Sequence, residues 1–495
     1  MARSLCIRPL ASLACAYRVR PASRSSRTAP SARRRWRARL LASVAAFLCV
    51  TSALADPADI SSTWAGGSGS WADPTKWVNV PAVPQFSNNQ TGSLAFSALI
   101  NSPDPAYTVS LSNDVTVNSF TLDSPAATLE HSAKTFLVNG PFHLASGTYH
   151  LSGGKITNST ITADAGELVV KSGTLDHVTL AADLTFNEQS SSLLVKDGLT
   201  LQDSTIRFLH GGSMDFFQGT QTLSGTGQII FENDLDTDHN VVGPHDSTLT
   251  IGPGITIRTG NPAGTFSKPE LGYVGSYDDN LTNEGTISSQ TPDRVLWVAG
   301  KTLINRGLLR ATNGGKLTLN GTIPVNGLGS FDSTGGTVAL CGTLQNTGNT
   351  LALSGIANTL TLTGGQITGG IITGADGARI VGTSGTLDGL TLAAEMLLPD
   401  GAVVWIKNDL TLQDNAVRMA ADRRVTDLMA GGCTIGGTDQ VVFDGTIRNY
   451  VEASIIGSGE MVRTGTGSGT VGFVCNKGDI SAQTPRQTIV ITGPK

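Results

Sequence analysis

Ser172-Gly-Thr-Leu-Asp-His-Val-Thr-Leu-Ala-Ala-Asp183 returns 212 positions later as Ser384-Gly-Thr-Leu-Asp-Gly-Leu-Thr-Leu-Ala-Ala-Glu395. Within both, apolar residues alternate with Thr or Ala, the period-two pattern of a strand with one face in a core. Two further pieces keep the same order. Asp197-Gly-Leu-Thr-Leu-Gln-Asp203 returns as Asn408-Asp-Leu-Thr-Leu-Gln-Asp414, 211 positions on. Asn283-Glu-Gly-Thr-Ile-Ser-Ser-Gln-Thr-Pro292 returns as Asn476-Lys-Gly-Asp-Ile-Ser-Ala-Gln-Thr-Pro485, 193 positions on. A large unit is therefore duplicated, and the shrinking offset places an insertion of about 19 residues in the first copy, between Leu209 and Asn283.

Outside these segments the pattern persists. Tyr107-Thr-Val-Ser-Leu111, Lys316-Leu-Thr-Leu-Asn320 and Thr359-Leu-Thr-Leu-Thr363 are short alternating runs bounded by Gly, Asn, Asp or Ser. Corners such as Gly153-Gly154, Gly335-Gly336 and Gly364-Gly365 supply the positive φ angles of tight turns. No helical period is sustained. Short, closely spaced strands with glycine corners predict an all-β chain folded as a right-handed parallel β-helix, or solenoid, with internal duplication. A string of antiparallel sandwich domains is the alternative. The expected divisions are a leader over 1–55, an N-terminal cap over 56–105, a first solenoid unit over 106–300 and a second over 301–495.

The leader differs in composition from the rest. Residues 1–55 hold 11 arginines and no acidic residue. An apolar run from Leu40 to Val50 and Ala53-Leu54-Ala55 follow, the order of a secretory signal peptide cleaved after Ala55. The apolar run is shorter than a membrane span needs. The whole chain carries 34 basic and 39 acidic residues, so removing 11 basic ones leaves 23 against 39, a net charge of −16. Such a surface repels nucleic acid and anionic lipid. Cys341, Cys433 and Cys475 are widely spaced and form no metal motif; one disulfide at most is expected of them, and small core residues are the default reading.

Trp64-Ala-Gly-Gly-Ser-Gly-Ser-Trp71-Ala-Asp-Pro-Thr-Lys-Trp77 gathers three of the six tryptophans in 14 residues. A solenoid end needs a plug for its open core and strand edges, and the cluster reads as that plug or as a sugar-stacking platform. This W-x-G-G-x-G-x-W-x-D-P-x-x-W segment resembles the start of secreted bacterial proteins built from autotransporter-like β-strand repeats. Leu249-Thr-Ile-Gly-Pro-Gly-Ile-Thr-Ile-Arg258, the N-x-G-x-I-S units at Asn283 and Asn476, and Asn305-Arg-Gly-Leu-Leu-Arg-Ala-Thr-Asn-Gly-Gly315 are similar to the same group. The resemblance implies an extracellular or cell-surface, adhesin-like solenoid. Its motifs mark corners and core positions, with no catalytic residue to carry over. Surface members usually end in a membrane barrel or sorting tail; this sequence stops at Thr492-Gly-Pro-Lys495, which reads as a fragment or as a released protein.

Carbohydrate-active β-helices place carboxylates on neighbouring coils with a basic residue nearby. Asp176, Asp183, Asp203 and Arg207 are candidates for such a set, and Asp388, Glu395, Asp414 and Arg418 are their counterparts. Recurrence in both copies, and the ordinary use of Asp at corners, favour a structural role. Asp234, Asp236 and Asp238 form a D-x-D-x-D string able to wrap a calcium ion, although the loop lacks the turn glycine and closing Glu of an established motif; a solvated acidic loop is the other reading. No histidine pair, nucleophile elbow or phosphate loop is present. The sequence thus points to a non-enzymatic exported solenoid that presents a face to polysaccharide or cell-surface components, with a polysaccharide lyase or hydrolase as the alternative.

Overall fold

The structure is a computed structural model that describes residues 58–89, 94–232, 240–260, 270–353, 359–446 and 449–492. The chain divides into two units, Met1–Ala55 and Asp56–Lys495. The described residues of the second unit are nearly all strand and wind into a parallel β-solenoid of about 18 turns. Among them no helix is long and apolar enough to cross a membrane.

Hydrogen-bond registers sort the strands into three parallel ladders, one for each face of the solenoid. One runs Leu168, Leu184, Ile206, Ile229, Ile257, Ile287, Leu309. A second holds Ile161, Leu180 and Leu201, and a third Ile156, Leu175, Val195 and Phe216. All these side chains point inward and are 0–2% exposed. Period two produces this directly: every second residue enters the core, and its alternate faces solvent or the next outward row. Each buried Leu or Ile contributes roughly 1.5–3 kcal/mol. A coil covers its inner residues only through the coils above and below, so burial is cooperative along the stack.

The first turns are the most aromatic. Ala58–Trp64 pairs antiparallel with Trp77–Val80 and in parallel with Leu94–Ile100, so the ladder starts inside the segment expected as a cap. Trp64, Trp71 and Trp77 are 2%, 0% and 6% exposed. Their rings meet edge to face, and Trp71 continues onto Phe120 and Phe136. Each indole N–H has a carbonyl acceptor: Gly67, Ser87 and Trp71 respectively, at 2.8–3.0 Å. These rings fill the core, and their faces are not offered to a sugar.

The duplication is conformational as well as textual. His177 and its counterpart Gly389 both adopt left-handed φ, 56° and 62°. So do Asp197 and Asn408 (53° and 49°) and Asp203 and Asp414 (52° and 59°). Correspondence also reaches upstream of the repeated text: Leu129, Leu151 and Ile156 match Leu340, Leu362 and Ile367, all 0–1% exposed. The copies are nevertheless turned relative to each other. Leu296 and Leu309 lie on two faces of one coil; the ladder of Leu168 reaches Leu309, while that of its counterpart Ile380 passes through Leu360, Val338 and Leu317 to Leu296. The repeat is not a whole number of turns, and equivalent residues sit one face apart.

The extra length of the first copy is distributed. The offset is 212 at Phe231 and Phe443, 209 at Asn240 and Asn449, 205 at Arg258 and Arg463, and 193 at Asn283 and Asn476. The insertion expected as one block between Leu209 and Asn283 is thus split over successive corners. Corners tolerate added residues because only the ladder positions must stay in step.

Candidate functional site

Three successive coils form a groove of about 590 Å³, lined by 163–169, 181–183, Thr185, Asn187, Asp203, Ser204, Arg207 and Leu209. The register places Val169, Thr185 and Arg207 in one outward row. Asp183 stands just before that rung and Asp203 at the corner of the following coil. Asp183 Oδ1 accepts the Thr205 backbone N–H at 2.7 Å. Thr226 Oγ1 donates to Asp203 Oδ1 at 2.6 Å, and Asp164 lies 3.1 Å from His143 Nε2. Arg207 Nη1 reaches both oxygens of Glu232 on the next coil, at 3.1 and 3.2 Å. The groove therefore carries carboxylate acceptors and a guanidinium, and each of these groups also ties one coil to another.

Of the four candidates in the first copy, the fold brings Asp183, Asp203 and Arg207 together and leaves Asp176 apart. Asp176 is 2.6 Å from Lys155 Nζ. In the second copy Glu395 lies 3.4 Å from Arg418 Nε, and Arg418 Nη1 is 3.1 Å from Asp444. Asp388 accepts from Gln366 and Asn408, at 2.8 and 2.7 Å. Arg207 with Glu232 and Arg418 with Asp444 are the same coil-to-coil tie, repeated. Asp234, Asp236 and Asp238 lie outside the described residues, and among the described residues no three Asp, Glu, His or Cys side chains gather as metal ligands.

The three cysteines are free and half-buried, and of the three expected as core residues Cys433 packs against the core from its edge. Cys341 Sγ donates to Thr363 O of the next coil at 2.9 Å, and Cys433 Sγ to Ile406 O of the preceding one at 3.7 Å. Burial pushes the Cys341 thiol up, against the opposing effect of Lys316.

Two polar constellations escape sequence reading. Glu130, His150, Lys171 and Glu188 form a charged chain across neighbouring coils, with His150 Nδ1 2.7 Å from Glu130, its Nε2 3.5 Å from Glu188, and Lys171 3.2 Å from Glu188. Asn283 and Asn305 stack on adjacent rungs in the core, Nδ2 of the first donating to Oδ1 of the second at 2.7 Å. Their shared N-x-G spelling was the available signal, since each Nδ2 also donates to the carbonyl of its own glycine, Gly285 or Gly307. The charged chain has no local spelling, because its members are about one coil apart.

What the fold and groove define is a class, a parallel β-solenoid with a polar groove on its side. Compared with known protein families, curated proteins and solved structures, the chain matches none.

Proposed function

We propose that this chain is an exported, non-enzymatic β-solenoid of adhesin-like or matrix type that holds polysaccharide on its outer surface. The observation that carries this reading is the engagement of the groove's charged groups in coil-to-coil bonds, of which the Arg207–Glu232 tie recurs in the second copy as Arg418–Asp444. A catalytic acid or base has to be free to exchange its proton with substrate; Arg207, tied to Glu232, and Asp183, tied to Thr205, serve the stack first. The same groups offer acceptors and donors to sugar hydroxyls along the groove rim. Export is supported by the arginine-rich leader and Ala53-Leu54-Ala55, cell-surface placement by the resemblance of the Trp64–Trp77 segment. The net charge of −16 after cleavage favours a neutral or cationic glycan over an acidic one. A calcium ion at Asp234, Asp236 and Asp238 belongs to the same proposal.

A polysaccharide lyase or hydrolase is the second reading, favoured by Asp183, Asp203 and Arg207 meeting in one groove. A glycan array run beside polysaccharide-cleavage assays on the purified protein separates the two. Retention without product, reduced by Arg207→Ala, supports binding; release of oligosaccharide abolished by Asp183→Asn would establish the enzyme instead.

A further inference from the structure

Ile251-Gly-Pro-Gly-Ile255-Thr-Ile-Arg258 in the first copy corresponds to Ile456-Gly-Ser-Gly-Glu460-Met-Val-Arg463 in the second. The corner is the same in both. Ile255 N–H donates to Gly252 O at 3.1 Å and Glu460 N–H to Gly457 O at 3.3 Å. In both, a bare glycine of the next coil, Gly285 or Gly478, lies against the carbonyl of that residue. Ile255 and Glu460 are each 1% exposed. The second copy has thus put a carboxyl where the first has a core isoleucine, and neither Glu460 oxygen has a hydrogen-bond partner.

A second change accompanies it on the preceding coil. Asp439 stands where the first copy has Gly227, and its backbone carbonyl accepts the Met461 N–H at 2.9 Å. Its Oδ2 is likewise buried without a partner. The two acids occupy adjacent rungs, about 4.8 Å apart along the stack. Asp414, one coil further back, adds negative charge beside Asp439. Lys477 and Asp479 lie on the following coil and Arg463 on Glu460's own strand; Arg463 is committed to Gln440 and Thr464. Among the described residues no lysine or arginine forms an ion pair with Asp439 or Glu460. An isolated buried carboxylate is far too costly to persist, and two side by side share a site only if one is neutral.

We propose that Asp439 and Glu460 form a carboxylic acid–carboxylate pair holding one proton, a latch that seats the coils after Glu460 and opens in alkali. Closed, Glu460 carries the proton and Asp439 the charge. Opening releases that proton to water and leaves a charge in the core at Glu460 beside that of the half-buried Asp439, which favours separation of the 461–476 coil from its neighbour. Burial, with Asp439 beside it, raises the Glu460 carboxyl to about 8, which places the transition in mildly alkaline solution. The protonated form also explains why the position tolerates a polar residue at all.

Hydrogen exchange of the full chain between pH 6 and pH 9.5, corrected for the intrinsic rate, tests the latch. Amides of 461–476 should lose at least tenfold in protection across pH 8, while those of 255–259 do not. Glu460→Gln, neutral at every pH, and Glu460→Ile, the residue of the first copy, should each abolish the step. A step that survives in Glu460→Gln overturns the proposal. So does protection at pH 9 that calcium restores in the native chain, which would make the pair a cation site.

Discussion

The two copies share their skeleton and differ in their polar fillings. Leu175, Val178 and Leu180 match Leu387, Leu390 and Leu392, all 0–3% exposed, and the left-handed corners coincide. Around that skeleton the chemistry has drifted. Lys155 bound to Asp176 becomes Gln366 bound to Asp388 at the same geometry, 2.6 and 2.8 Å. Glu130 and Ser152, bonded to each other in the first copy, become Cys341 and Thr363, which are also bonded. The buried pair His131 and Tyr149, 2.8 Å apart, becomes Gly342 and Leu360. What a coil must supply is an inward alternation and a corner of the right hand; any outward pair that joins two rungs will serve.

The largest expected effects test the skeleton. Leu175→Ala and Leu387→Ala should each cost about 2–5 kcal/mol, measured by urea unfolding. A much smaller loss in one copy would mean that the two cores are not equivalently packed.

Acid should separate the copies next. Burial lowers His131 to about 4, against an ordinary value near 6.5. Between those values the folded chain binds fewer protons than the unfolded one, so stability falls as pH drops through this window and levels off below it. The loss amounts to about 3 kcal/mol, and hydrogen exchange should place it around Leu129–Tyr149 and not around Leu340–Leu360. Equal losses in both segments would contradict the assignment to His131.

Corner geometry comes third. His177 holds a left-handed φ that a side chain disfavours, so His177→Gly should gain up to about 1 kcal/mol and Gly389→His lose as much, read as opposite shifts in Tm. The smallest effect belongs to the ion pair. Lys155 is over a third exposed, and solvent screening holds such pairs below about 1 kcal/mol. Lys155→Gln should therefore move Tm by little and remove most of its salt dependence at that site.

Much of this architecture is readable in the chain itself, for a physical reason. Period two and glycine corners are local, and the duplicated text exposes the repeat without any knowledge of its winding. The angular offset between copies is not local, because it depends on how many corners lie between Leu168 and Ile380. The same holds for the groove: Asp183, Asp203 and Arg207 were identifiable as candidates, but which of the four acid and basic groups converge depends on coil length. Asp176 falls on another face because the His177 corner intervenes. Glu460 was hidden differently. It breaks the alternation at one position, and only alignment with Ile255 shows that the position belongs to the core.

The one-face offset has a consequence for anything held on the surface. Had the repeat closed on whole turns, the second set of side chains would extend the first into one continuous track, and a single polymer could run along both. Here the equivalents of Asp183 and Arg207, Glu395 and Arg418, look out along a different bearing. A straight strand lying on one side meets one set alone. Under the binding proposed for the groove, the second copy adds a new direction of reach instead of a longer grip.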